Sequence, residues 1–287
     1  MRQKLGQHFL KNKSAIGKIV EALNLKTGDT VIEIGPGRGE LTKPLAGRCE
    51  TFGCRVIAIE RDEELGSRLR VSPPEEDPPL AEGFGKTLEI VVGDALKILP
   101  EITTSLPPGE APPPAEKPIN YKLVGNIPYY ITGKLFRILS DAENKPSISV
   151  FTIQREVAER ITASPPKMNR LSAIIQWWAE PSIVSWLSRD DFSPKPDVDS
   201  AIVKLVSRIV DHGSGEKLVA QKYYRMVRVL FQQPRKTVLN NLAEILPDKE
   251  RITLMLTGLG IDGKNRPQDL GVQEILEIAR KFEDSSL

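Results

Sequence analysis

The stretch VIEIGPGRGELT, residues 31–42, decides how the chain folds. An apolar run from Thr30 to Ile34 stops at Gly35, Gly37 and Gly39, and a helical pattern begins near Glu40. A strand that enters a glycine-rich turn and leaves it as a helix is the opening of a βαβ unit. Glycines at that turn let the chain reverse tightly and let backbone N–H groups approach a ligand without a Cβ in the way. The pattern repeats outward from this point. Strand runs are predicted over Thr30–Ile34, Arg55–Glu60, Leu88–Val92, Lys122–Gly125 and Ile148–Ile153. Helical stretches lie near Glu40–Ala46, Glu63–Leu69, Leu96–Ile102 and Gly133–Ser140. This alternation predicts an α/β fold: a mostly parallel sheet with helices on both faces. Upstream, Ser14 is positioned to cap an amphipathic helix running to about Leu23.

Two segments interrupt the alternation, SPPEEDPPLAEGFG (72–85) and SLPPGEAPPPAEKP (105–118). Their Pro and acid content cannot supply a packed core, so they read as surface insertions near 72–87 and 105–118. After Ser207 the character changes. DHGSGE (211–216) reads as a linker, and Lys217 to Phe282 shows helical periodicity without a good strand. The division expected is a first domain over 1–209 and a small all-helical domain over 210–287.

The chain has 287 residues, 40% of them hydrophobic, and a net charge of +2. No apolar run spans a bilayer, and MRQKLGQHFL (1–10) lacks the apolar core of a signal peptide, so a cytoplasmic protein without a membrane partner is expected. Cys49 and Cys54 lack the spacing and His partners of a zinc site; they read as free thiols, and no metal is expected. The small net charge does not by itself demand a nucleic-acid partner. Local basic stretches nevertheless mix Arg and Lys with amides in QREVAER (154–160), KMNR (167–170) and QQPRKTVLNN (232–241), a composition suited to a phosphate backbone.

Chemistry-bearing residues fall at the ends of successive strands. Glu60 ends the second strand, where a carboxylate can accept both hydroxyls of a ribose. Asp94 follows the third, where an acid can accept from an adenine amino group. With the glycine turn, these point to an adenosine-containing cofactor. The fourth strand ends in LVGNIPYYIT (123–132), which puts an amide, an imide and two aromatic rings where a plain turn would carry Gly, Asp or Ser. An adenine amine is a poor nucleophile because its lone pair is delocalised into the ring. Accepting its N–H hydrogens favours a more tetrahedral nitrogen during attack. The Asn126 side-chain carbonyl can accept one hydrogen and a backbone carbonyl at Ile127 or Pro128 the other, while Pro128 stiffens the pair. Tyr129 offers a stacking face.

With these residues in hand, the chain resembles the ribosomal small-subunit RNA adenine N6,N6-dimethyltransferase family. The likeness rests on QKLGQHFL (3–10), VIEIGPGRGELT (31–42), IAIERD (57–62), VVGDAL (91–96), LVGNIPYYIT (123–132), QREVAER (154–160), RLSAIIQWW (170–178) and FSPKPDVDSAIVKL (192–205), in this order. It implies a Rossmann-like class I methyltransferase sheet, S-adenosylmethionine as cofactor, and dimethylation of two adjacent adenines near the 3′ end of small-subunit RNA. The implied partner is ribosomal RNA in an immature 30S-type subunit, bound by a monomer with a part in subunit biogenesis. By resemblance, His8 and Leu10 close over the methionine end of the cofactor, and Gly35 and Gly37 line it. Glu60 holds its ribose, Asp94 its adenine, and Asn126 touches both cofactor and target amine. Tyr129 stacks on the flipped adenine and Phe192 sandwiches it from the other side. Arg155, Arg160, Arg170, Arg235 and Lys236 are the RNA-contact candidates. Pro234 stands where the family usually has another basic residue, which weakens the carry-over at 231–242.

Other functions would share some of these residues. A resistance-type methyltransferase of large-subunit RNA would share the site, although Asp199 favours the small-subunit family. A non-catalytic assembly factor would share the fold, but the intact Asn126–Tyr129 motif argues against lost turnover. A nicotinamide dehydrogenase would explain the glycine turn and leave NIPYY without a task.

Overall fold

The computed structural model describes residues 8–70, 84–105, 121–208 and 216–282. Most of both Pro-rich insertions (72–83 and 106–118) and most of the expected linker (211–215) lie outside the described residues. The chain forms two compact units. One comprises Met1–Ala158 with Ser182–Ser207, and the other Glu159–Pro181 with Arg208–Leu287.

The first unit is built on a mixed sheet. Its strands are β2 (Thr30–Ile34), β3 (Arg55–Glu60), β4 (Leu88–Val92), β5 (Tyr121–Asn126), β6 (Ile148–Gln154), β7 (Ala179–Leu187) and β9 (Ser200–Ser207). They run in the order β4-β3-β2-β5-β6-β9-β7. β2 through β6 are parallel, and β9 returns antiparallel beside β6. Helices near 42–52, 63–70, 95–105 and 132–141 connect the parallel strands, as the alternation predicts. The five expected strands are all present, each within a residue of its expected ends.

β2 is buried along its whole length because a parallel strand is covered on both faces. The chain steps from β2 outward to β3 and β4, then returns to place β5 against the other side of β2. The direction of winding therefore reverses between β2 and β5. A crevice opens beyond the C-terminal ends of strands at such a reversal, and here those ends are Gly35 and Asn126.

Three features depart from the sequence reading. The first helix, α1, spans Lys13–Ala22, and its cap is Asn12 rather than Ser14. Asn12 Oδ1 accepts from Ala15 N at 3.1 Å, and its Nδ2 donates to Asp191 at 2.7 Å, so one amide caps the helix and ties down a distant loop. Secondly, the sheet contains two strands beyond the five expected, β7 and β9. Thirdly, β1 (Phe9–Leu10) and β8 (Phe192–Ser193) form a separate antiparallel pair, with Leu10 opposite Phe192.

The second unit is helical, with α-helices over Arg170–Trp178, Glu216–Leu230, Val238–Leu242, Lys249–Gly258 and Val272–Lys281. Residues 159–181, expected to go with the first domain, group here for a visible reason. Trp177 stacks on Tyr223 with centroids 4.3 Å apart, and the Tyr223 hydroxyl donates to Ala173 O at 3.0 Å. Met168 N also donates to Gln268 O at 3.0 Å. These contacts fasten the 170–178 helix to the C-terminal helices. No helix among the described residues is long and apolar enough to cross a membrane. Cys49 and Cys54 are both free and buried.

Candidate active site

The glycine turn is held open by its conformation. Gly35, Gly37 and Gly39 have φ of 67°, 62° and 89°, a region L side chains rarely adopt. A Cβ on Gly35 would meet nothing within 4 Å, so this residue faces open space. A Cβ on Gly37 would instead strike the Phe9 ring at 2.8 Å, because the N-terminal strand lies directly on the turn. The Arg38 guanidinium covers that ring at 4.6 Å from its centroid.

Glu60, only 5% exposed, is oriented by two backbone donors. Gly37 N donates to Oε2 at 3.0 Å and Asp62 N to Oε1 at 2.8 Å. Each carboxylate oxygen keeps acceptor capacity for a ligand hydroxyl. Asp94 accepts from Leu96 N at 3.0 Å and so starts the following helix, a capping role compatible with a ligand role. A cavity of about 450 Å³ runs past Gly35, Glu60 and Asp94 and reaches Pro128, Tyr130 and Ile131. The residues present fit an adenosine ligand: an open glycine cradle, a fixed buried carboxylate for vicinal hydroxyls, and a second acid farther along the same cavity.

Asn126 lines two smaller spaces that share Gly35 with this cavity. A space of about 70 Å³ is lined by His8, Gly35, Gly37, Glu60, Asn126 and Tyr129, among others. A smaller one of about 30 Å³ is lined by Leu10, Glu33, Gly35, Glu40 and Asn126, among others. Asn126 Nδ2 donates to His8 O at 2.6 Å, which fixes the amide plane. Nothing among the described residues donates to Asn126 Oδ1, so that oxygen remains an acceptor. Of the two backbone carbonyls considered, Pro128 O already accepts from Ile131 N at 3.0 Å, so Ile127 O is the freer acceptor.

The Tyr129 hydroxyl is hydrogen-bonded to Ser200 Oγ at 2.7 Å. Burial pushes its pKa up, the Ser200 hydrogen bond opposes this, and the Asp199 charge adds to the rise. The phenol therefore stays neutral and anchored. The His8 ring lies 5.9 Å from the Tyr129 ring at 30°, and His8 Nδ1 is 2.9 Å from Pro194 O.

The structure thus brings Gly35, Gly37, Glu60, Asp94, Asn126, Tyr129, His8 and Leu10 around three spaces that share Gly35 in their walls. Phe192 is placed differently from the expectation. Paired with Leu10 across β1 and β8, it is 3% exposed and packs in the same apolar cluster as Leu10 and Ile16. It lines none of these three spaces. The basic candidates are all exposed. Arg155 opens the helix Arg155–Thr162 of which Arg160 is also part, and Arg170 opens the next. Arg235 and Lys236 follow the helix that ends at Leu230, and Lys236 is paired with Glu244 at 2.9 Å. The departure at Pro234 is thus accompanied by a neighbouring cation already engaged within the fold.

Glu33 also lines the smallest of these spaces, although the strand pattern does not single it out. Glu33 lies inside the quoted motif, 1% exposed, and neither Glu33 Oε2 nor Thr42 Oγ1 has a hydrogen-bond partner among the described residues. Burial foremost raises its pKa to about 8; Thr42 opposes the rise, and the Glu60 and Glu40 charges add to it. A carboxylate among Val, Ile and Ile was the available signal.

The family model for ribosomal RNA adenine dimethylase matches residues 1–284. A ribosomal RNA small subunit methyltransferase A from Moorella thermoacetica is 35% identical over 98% of this chain and 92% of its own length. A dimethyladenosine transferase from Plasmodium falciparum superposes with a TM-score of 0.72 at 24% identity, covering 94% of this chain and 96% of its own. The 23S rRNA methyltransferase ErmE gives 0.70 at 26% identity, covering 95% and 98%.

Proposed function

The chain belongs to the ribosomal RNA adenine dimethylase family, and from that premise we propose that it transfers methyl groups from S-adenosylmethionine to N6 of two adjacent adenines in small-subunit ribosomal RNA. The observation that carries the reading is Asn126: it ends β5 at the winding reversal, with its amide nitrogen fixed on His8 O and its Oδ1 left to accept. Relatives named as small-subunit enzymes support that target. The fold alone does not separate the two ribosomal targets, since a 23S enzyme superposes nearly as well as the dimethyladenosine transferase.

S-adenosylmethionine supplies an electrophilic methyl group on a sulfonium sulfur. Glu60 would take the ribose hydroxyls on the acceptor sites its two backbone donors leave open, and Asp94 the adenine amine. Asn126 Oδ1 and Ile127 O would accept the two N6 hydrogens of the target. Both acceptors are set before the substrate arrives, so little reorganisation is needed as positive charge builds on the nitrogen. The neutral Tyr129 ring, pinned by Ser200, would support the base once it has left its stack, which itself costs a few kcal/mol. No strong base is called for, because the proton becomes acidic only after the nitrogen has bonded to carbon. RNA contacts at Arg155, Arg160, Arg170, Arg235 and Lys236, and a cytoplasmic monomer acting on immature subunits, complete the proposal.

The test is methylation of undermethylated small subunits by purified protein, read by mass spectrometry of the RNA. Dimethyladenine should form. Asn126→Ala should lower the rate by a factor of about 10²–10³ or more, as for loss of a preorganised hydrogen-bonding group at a reacting centre, with an unchanged circular dichroism spectrum. Near-parental turnover in that variant overturns the role of Asn126. Primer extension that maps the product to large-subunit RNA would transfer the chain to the other target.

A further inference from the structure

Resting on the methyltransferase reading, we propose that Trp186 and Arg155 form a stacking platform for a single-stranded nucleotide that flanks the target adenine. Trp177 and Trp178 are 6% and 2% exposed, whereas Trp186 is 48% exposed. A large indole left half in water on an edge strand asks for an explanation. The Arg155 guanidinium covers it at 4.9 Å from the ring centroid. A planar cation on an indole makes a flat, positively charged surface suited to a base and its phosphate.

The platform lies at the same end of the sheet as the methyl-accepting site. Arg155 directly follows β6, Ser200 begins β9, and Trp186 lies one residue before the end of β7. Hydrogen bonds connect them. The Tyr129 hydroxyl is bonded to Ser200 Oγ, Arg155 N donates to Asp199 O at 2.9 Å, and Arg189 N donates to Asp199 Oδ1 at 3.2 Å. Residues 199 and 200 therefore fix the spacing between Tyr129 and the platform. An adenine extruded toward Tyr129 leaves its neighbour without a stacking partner, and Trp186 offers a replacement surface.

A guanidinium laid on an indole favours RNA over a protein surface, because a nucleotide offers both a base to stack and a phosphate to pair. Three nearby carboxylates already have partners: Asp190 is paired with Lys195 at 2.6 Å, Asp191 accepts from Asn12 and from Ser188 N, and Asp199 accepts from Arg189 N. The signal in the sequence was slight, a lone Trp in PSIVSWLSRDD between two of the family-like motifs.

The experiment follows tryptophan emission while a short single-stranded RNA carrying an adjacent adenine pair is titrated, and separately measures kcat and KM on undermethylated small subunits. Trp186 contributes the water-exposed part of the emission. That part should be quenched as RNA binds, and Trp186→Leu should abolish the change. In the Leu variant RNA affinity should fall roughly tenfold and KM rise to match. kcat at saturation and the affinity for S-adenosylmethionine should stay at parental values. Trp186→Phe, which keeps an aromatic face, should recover most of the affinity. Unchanged emission at saturating RNA, or a parental KM in the Leu variant, overturns the proposal while leaving the methyltransferase reading intact. A raised KM on subunits with parental affinity for the RNA alone also overturns it, in favour of a protein contact. Parental protein that methylates no subunits would instead bring down the functional reading itself.

Discussion

Glu60 acts as an acceptor whose position is set before any ligand arrives. Its two oxygens are held by Gly37 N and Asp62 N, so the carboxylate has little freedom left to lose on binding. Removing it should weaken S-adenosylmethionine binding by about 1.5–3 kcal/mol, the range for a hydrogen bond to a charged group. Calorimetry on Glu60→Ala measures this directly, and unchanged affinity would take Glu60 out of the site. Glu60, Asp94 and Asn126 could be singled out from the sequence because each lies at or just past the end of a strand, and strand ends in a parallel sheet share one edge. Phe192 could not be placed that way. Its burial follows from the Leu10↔Phe192 pairing, a contact between residues 182 positions apart that no local pattern encodes.

Elements carry the next constraint, the closeness of β2 and β5. A Cβ on Gly125 would lie 2.6 Å from the Ile34 backbone oxygen and 2.9 Å from Ile127 Cδ1. Backbone oxygen in a buried ladder cannot swing away as a side-chain tip can. Gly125→Ala should therefore part the two strands beside the spaces that Gly35 and Asn126 both line. We expect a stability loss of about 1–3 kcal/mol from overpacking, together with a loss of methylation larger than the change in folded fraction explains. Denaturant unfolding and turnover on the same sample separate the two effects, and a stable, active Ala variant would show that the strands have room to spare. The parallel strands were legible because continuous apolar runs alternate with helical patterns. β7 and β9 were not, since β7 comes after two successive helices and β9 returns antiparallel beside β6, outside that rhythm. Asn12 displaced Ser14 as the helix cap for a similar reason: both residue types cap well, and only the tertiary bond to Asp191 selects between them.

At the scale of the whole molecule, composition announced a helical C-terminal part but misjudged its extent, because the Trp177–Tyr223 stack that captures residues 159–181 joins positions far apart in sequence. The same scale governs how stability responds to pH. Glu33 stands in the middle of a strand covered on both faces, and burial foremost lifts its pKa from 4.5 to about 8. Between those values the folded chain keeps a proton that the unfolded chain has released. Stability therefore declines as pH rises through this window, since the side binding more protons is the native one. The contribution is whole below about 4.5 and lost once pH has passed about 8. Glu33→Gln keeps the shape and removes the titration. The melting temperature of the Gln variant minus that of the parent should grow steadily from pH 5 to pH 8.5, by about 2–4 °C for each kcal/mol of the linked free energy. Scanning calorimetry across that range, followed on the transition of the sheet unit, reads the difference. Parallel curves for the two proteins would mean that Glu33 is already ionised in the fold, and that a cationic partner, not solvent exclusion, sets its state.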